Sequence, residues 1–77
     1  MDVKSEIDAI VWKIEVAEGS HVAADEVLII LESMKMEVPV NAPAAGRVRS
    51  ITVAEGETVQ EDDVLVVLDP AEGERAA

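Results

Sequence analysis

Short apolar runs, each about five residues long, alternate with polar breaks along the chain. Val27-Leu28-Ile29-Ile30-Leu31 and Val64-Leu65-Val66-Val67-Leu68 are unbroken, whereas Ile10–Val16 and Arg47–Val53 show partial alternation. β-Branched residues dominate these runs, and such side chains suit a pleated surface better than a helix. The pattern predicts strands, with burial on one face and edge packing on the other for the two unbroken runs. Between them lie turn-forming segments. Ala17-Glu18-Gly19-Ser20 and Ala54-Glu55-Gly56-Glu57 place Gly where positive φ is needed, and Ala23–Glu26 and Gln60–Asp63 form polar links. Val22 and Val59 begin short connecting strands, and Pro70, which cannot donate to a ladder, stops the last strand.

The elements recur. Residues 11–33 align without gaps on residues 48–70, with 11 identities in 23 positions, among them Val11/Val48, Ala17-Glu18-Gly19/Ala54-Glu55-Gly56 and Val27-Leu28/Val64-Leu65. Two copies are too few for a solenoid, so one domain with a pseudo-twofold axis is the economical solution. Carrying the offset of 37 back from Val40 lands on Val3, so the strand after Met36 has its counterpart at the N-terminus. The expected architecture is eight short antiparallel strands, as two four-stranded sheets in a flattened barrel or sandwich. The domain is expected over residues 1–70, with a frayed tail at 71–77.

Glu32-Ser33-Met34-Lys35-Met36-Glu37 separates the run Val27–Leu31 from Val38-Pro39-Val40-Asn41, which predicts a hairpin with Met34-Lys35 at its tip. A two-residue hairpin turn ordinarily takes Asn-Gly, Asp-Gly or Gly-X. Met-Lys is none of these, and uncompensated departures from local rules cluster at functional sites. By symmetry the counterpart of this tip is the gap between the chain ends, so tip and termini belong at opposite ends. On a strand, Met34 and Met36 would point to one face beside the lysine. Two exposed thioethers suit recognition by more than one partner, although methionines also fold back as core caps.

Met34-Lys35-Met36, preceded by Glu32, resembles the attachment motif of biotin carboxyl carrier domains, with Ser33 where that family usually has Ala. The likeness extends over about residues 3–69 and includes the bend Ala42-Pro43-Ala44-Ala45-Gly46-Arg47-Val48. It implies an all-β barrel-sandwich fold and biotin bound covalently to Lys35. Glu32, Ser33, Met34, Met36 and Glu37 are then read by a biotin protein ligase. The resemblance also implies a non-catalytic carrier whose arm is loaded at a biotin carboxylase and unloaded at a carboxyltransferase. Sister lipoyl domains carry Asp-Lys-Ala at this tip, which this chain lacks. Lipoate or dual attachment is the alternative within the fold, and a non-acylated interaction module is the alternative outside that chemistry. The mirror of the bend, Ser5–Val11, lacks both Pro and Gly and is expected to turn less sharply and more loosely.

Composition narrows the rest. There is no Cys, hence no disulfide or thiolate chemistry, and Trp12 is the one aromatic residue, so the core is aliphatic. Six basic against 17 acidic residues give a net charge of −11, a field that repels phosphate backbones and disfavours nucleic acid. No apolar run approaches the roughly 20 residues of a membrane-spanning helix, and the N-terminus does not resemble a secretory signal, so a cytoplasmic, non-membrane protein, monomeric by itself, is expected. His21 has no partner for metal binding. The acid pairs Asp25-Glu26 and Asp62-Asp63 fall at matching turns, so no catalytic or metal-ligating set is expected. Trp12 is mirrored by Arg49 and need not be core. Exposed lysine amines are overwhelmingly protonated at neutral pH, and carboxylates nearby favour that state. Lys35 is therefore suited to acylation by an enzyme that supplies activated acid and a base, and poorly suited to unaided nucleophilic work. It is the expected acceptor among Lys4, Lys13 and Lys35.

Overall fold

A computed structural model describes residues 1–70; the tail at 71–77 lies outside the described residues. Eight strands follow in order: β1 (Asp2–Lys4), β2 (Ala9–Ile14), β3 (His21–Val22), β4 (Val27–Ser33), β5 (Met36–Asn41), β6 (Gly46–Ile51), β7 (Thr58–Val59) and β8 (Val64–Pro70). They form two antiparallel four-stranded sheets, β1-β8-β6-β3 and β5-β4-β2-β7. Each sheet maps onto the other under the offset of 37. The copies are interleaved: β3 of the first copy pairs with β6 of the second, and β7 of the second pairs with β2 of the first.

The interleaving is fastened reciprocally. Gly19 N–H donates to the Val48 carbonyl and Gly56 N–H to that of Val11. The Glu55 carboxylate accepts from Ile14 N–H at 3.0 Å, and that of Glu18 accepts from Ile51 N–H at 3.1 Å. Both glycines have φ of 90°, the left-handed region that favours a residue without Cβ. The acid pairs are turn devices, as expected: Glu26 accepts from Ala23 N–H, Asp63 from Gln60 N–H, and Asp25 and Asp62 sit at φ of 70° and 75°.

Burial follows the symmetry. Leu28, Ile29 and Leu31 meet their counterparts Leu65, Val66 and Leu68, with Val11/Val48 and Val22/Val59 completing an aliphatic core. The unbroken runs form central strands, which corrects the expectation of edge packing. Ile30 and Val67 turn outward and are half-buried. The free edges belong to β1, β3 and β7, of two or three residues, and to β5, which carries Glu37 and Pro39; short, charged or proline-bearing edges resist edge-to-edge association. The last strand includes Pro70, one residue beyond the predicted stop, because the residue lies at an end opposite Gly46.

The first corner is not loose. Ser5, buried, donates from its hydroxyl to the Ile7 carbonyl at 2.6 Å, and its backbone exchanges hydrogen bonds with Asp62 and Asp63, as Ala42 does with Asp25 and Glu26. The Asp8 carboxylate also accepts from Glu61 N–H at 2.9 Å. A serine hydroxyl folding onto its own backbone fixes this corner locally, where the other copy has Ala42-Pro43.

Candidate functional site

Strands β4 and β5 form the longest ladder, paired from Val27↔Asn41 to Ser33↔Met36, so the connection is the two residues Met34 and Lys35. Their φ angles are 52° and 65°. Positive φ at both central residues is what a right-twisted two-residue hairpin needs, and Asn-Gly meets it cheaply. For residues with a Cβ the left-handed conformation costs roughly 1–2 kcal/mol each. The ladder and the buried Leu28, Ile29 and Leu31 hold the turn against that cost. Ser33 contributes locally, donating from its hydroxyl to the Asp8 carbonyl at 3.3 Å and tying the hairpin base to the approach of β2.

The turn stands in solvent. Met34 is 92% exposed and Met36 65%, so neither folds back as a core cap. Met34 lies in the turn and only Met36 on a strand, which corrects the same-face expectation: the methionines flank Lys35 along the turn. Lys35 is exposed, and among the described residues it makes no ion pair. Glu32 and Glu37 face each other across the ladder, two residues behind the turn, also without an ion-pair partner among the described residues. All six residues singled out from the sequence thus gather on one hairpin end. The far end holds Pro70 and the N-terminus, whose ammonium donates to the Leu68 carbonyl at 2.9 Å.

Other chemistry-bearing groups lie elsewhere. His21 is exposed on β3, opposite Arg47. No cluster of three or more His, Asp or Glu suited to a metal ion occurs among the described residues. A cleft of about 370 Å³ between β1 and β5 has an apolar floor that includes Val3, Ile7 and Leu31 and polar lining residues that include Asp2, Lys4 and Glu6. Periodicity did not reveal that Ile10, 45% exposed, and Trp12, 48% exposed, stand on the outside of β2; the mismatch of Trp12 with Arg49 was the available signal.

A free lysine on a hairpin tip, with no neighbour that an acyl group would displace, fits the covalent group implied by the sequence. Comparisons with known proteins agree. Residues 2–68 match the biotin/lipoyl model, described as biotin-requiring enzyme. The chain is 48% identical over 50 residues to the biotinylated protein TB7.3 homolog of Mycobacterium leprae, covering 65% of this chain and 70% of that one. It is 38% identical over 51 residues to the biotin/lipoyl attachment protein of Bacillus subtilis, covering 66% and 70%. Among solved structures, a single-chain, multi-domain long-chain acyl-CoA carboxylase superposes with a TM-score of 0.88 at 28% identity, over 92% of this chain but only 7% of the carboxylase. The chain belongs to the biotin/lipoyl family of biotin-requiring enzymes.

Proposed function

We propose that the chain is a biotin carboxyl carrier whose Lys35 is acylated by a biotin protein ligase. The observation that carries this reading is the lysine itself: unpaired among the described residues and exposed in a left-handed turn between two exposed methionines. In the acylation, the Lys35 ammonium first gives up one proton, and the resulting amine attacks an activated carboxyl carbon as a base of the ligase takes the second. The N–C bond forms as the bond to the leaving phosphate ester breaks, and that group departs with the electron pair. Once attached, biotin supplies a ring nitrogen able to carry a carboxyl group. Residues 1–70 supply a stiff body, with the tip at one end and the described chain ends at the other. Tethering converts encounters with a biotin carboxylase and a carboxyltransferase into intramolecular ones, at effective concentrations on the order of millimolar. The match to a small part of a multi-domain carboxylase supports a carrier that itself catalyses nothing.

Intact-mass analysis of wild type and Lys35→Arg after incubation with biotin ligase, ATP and biotin tests the assignment. One biotin-sized gain in wild type and none in the variant is expected; a gain in the variant sinks it. The relative named for both groups keeps lipoate as a second reading, tested by the same assay with a lipoate ligase and lipoate.

A further inference from the structure

The two outer faces of the sandwich are related by the pseudo-twofold, yet they differ in chemistry. On sheet β1-β8-β6-β3 the outward positions include Asp2, Arg47, Arg49, Val67 and Asp69. Arg49 bonds the Asp69 carboxylate at 3.1 Å, and Arg47 lies directly opposite Asp69 in the register. The matching positions on sheet β5-β4-β2-β7 are Pro39, Ile10, Trp12, Ile30 and Glu32. Of the four charges, three have become apolar side chains and one remains an acid, and Val67 is matched by Ile30.

Register makes the apolar side chains neighbours. Ile10 lies opposite Glu32, and Ile30 lies opposite both Pro39 and Lys13. Trp12 is the extra residue of the bulge between Val11 and Lys13, so it stands beside Lys13 over Ile30. Towards the tip the strip ends at Glu32 and Glu37, which face each other across the ladder. Like charges placed directly opposite destabilise a strand pair. On the mirrored sheet the acid is neutralised by arginine; here, among the described residues, it has no ion-pair partner and stands beside an exposed aromatic.

We propose that this face is a docking surface for the enzyme that acylates Lys35, and that it fits an apolar patch bordered by lysine or arginine side chains. The inference rests on the reading of Lys35 as the acylated residue. Reach and area both favour this occupant. During acylation the amine itself must enter the ligase site, on a side chain of only four methylenes, so the ligase surface closes around the hairpin. At about 3.3 Å per residue, Glu32 and Ile10 lie roughly 7 Å behind the turn, and Ile30 and Trp12 roughly 13 Å. Partners that meet the loaded arm later can stand farther off. A specific interface ordinarily uses roughly 20–30 residues a side, which the turn alone does not offer. The adjoining apolar strip has the aromatic and aliphatic anchors that carry binding energy, and the acid pair gives charge complementarity to a basic border.

Trp12 is the only tryptophan, so a uniformly ¹⁵N-labelled chain gives one indole N–H signal. Titration with unlabelled biotin protein ligase is expected to shift or broaden that signal with the amides of residues 10–13 and 30–37, while those of Arg47–Arg49 stay in place. Movement of the tip amides alone overturns the proposal, and so does an indole signal that moves with carrier concentration before ligase is added, which marks a second copy as the occupant. In steady-state biotinylation, Ile10→Ser/Trp12→Ser is expected to raise KM for the carrier about tenfold at little-changed kcat, as loss of an aromatic anchor would. Arg47→Ser/Arg49→Ser leaves KM unchanged. A wild-type KM for the Ile10/Trp12 double variant defeats the docking surface while Lys35 still gains biotin; absence of any gain in wild type defeats the reading of Lys35, and the docking surface with it.

Discussion

The two copies of the repeat agree in the core and in the Gly19 and Gly56 turns, and part on the outer faces and where β4 and β8 end. In the first copy β4 runs through Glu32 and Ser33 into a tight turn that presents Lys35; in the second, β8 runs through Asp69 to Pro70, and Asp69 is held by Arg49. The strands below are matched in register, including the bulges after Val11 and after Val48. Symmetry therefore supplies the rigid shell, and its departures mark what the shell is for. Asp69 is paired with Arg49, whereas its counterpart Glu32, which borders the presented lysine, makes no ion pair among the described residues.

The core tests the symmetric side of this comparison with the largest expected effect. Leu28 and Leu65 occupy equivalent, fully buried positions. Truncating either to Ala should cost about 2–5 kcal/mol, from lost transfer energy plus the cavity left behind. Because the surroundings are mirrored, the two losses should be alike, read as shifts in the urea midpoint at constant m. A large loss at one and a small loss at the other would show that the halves do not share the load.

Next comes a place where the copies differ in one atom. A Cβ at Gly46 would overlap the Asp69 carbonyl oxygen, whereas its counterpart Ala9 carries a Cβ without difficulty. The registers give the reason. β6 pairs with β8 from Gly46↔Pro70 onward, but β2 pairs with β4 only from Ile10↔Glu32, because Ser33 instead closes the hairpin base. Gly46→Ala should therefore destabilise by about 1–3 kcal/mol through overpacking. Ala9→Gly should cost only about 0.5–1 kcal/mol, from added freedom of the unfolded chain. Equal costs in thermal unfolding would mean that the closer β6–β8 approach is not what requires glycine.

Much of this was legible because each signal was local. The break at Met34-Lys35, the Gly19 and Gly56 turns and the offset of 37 are properties of short segments, and they located the tip and eight strands. Interleaving was not legible, since a repeat pairs as well within a copy as between copies until tertiary packing decides. The bulges at Trp12 and Arg49 were equally hidden: an extra residue in one strand leaves no periodic trace. Firmness of the Ser5 corner was missed because proline and glycine are conspicuous, whereas a hydroxyl bonding its own backbone is silent until the chain is folded. Trp12 was legible as outward through its mirror Arg49, whereas Ile10 and Ile30 read in sequence as core and only the register puts them outside.

The smallest expected effect probes the turn that follows β4. Met34 sits at φ 52°, a conformation that asparagine adopts at lower cost because its short side chain bonds locally. Met34→Asn should therefore stabilise the domain, by up to about 1 kcal/mol if roughly half the left-handed penalty is relieved. The same substitution removes a side chain that is 92% exposed and contributes nothing to the core. Stability should rise in urea unfolding while biotin uptake by Lys35 slows in a ligase assay. That opposition is the expected signature of a residue retained for recognition at some expense to the fold. A variant both less stable and unchanged in uptake would mean that methionine is there for the turn, and that the asymmetry between the two copies at this point is structural.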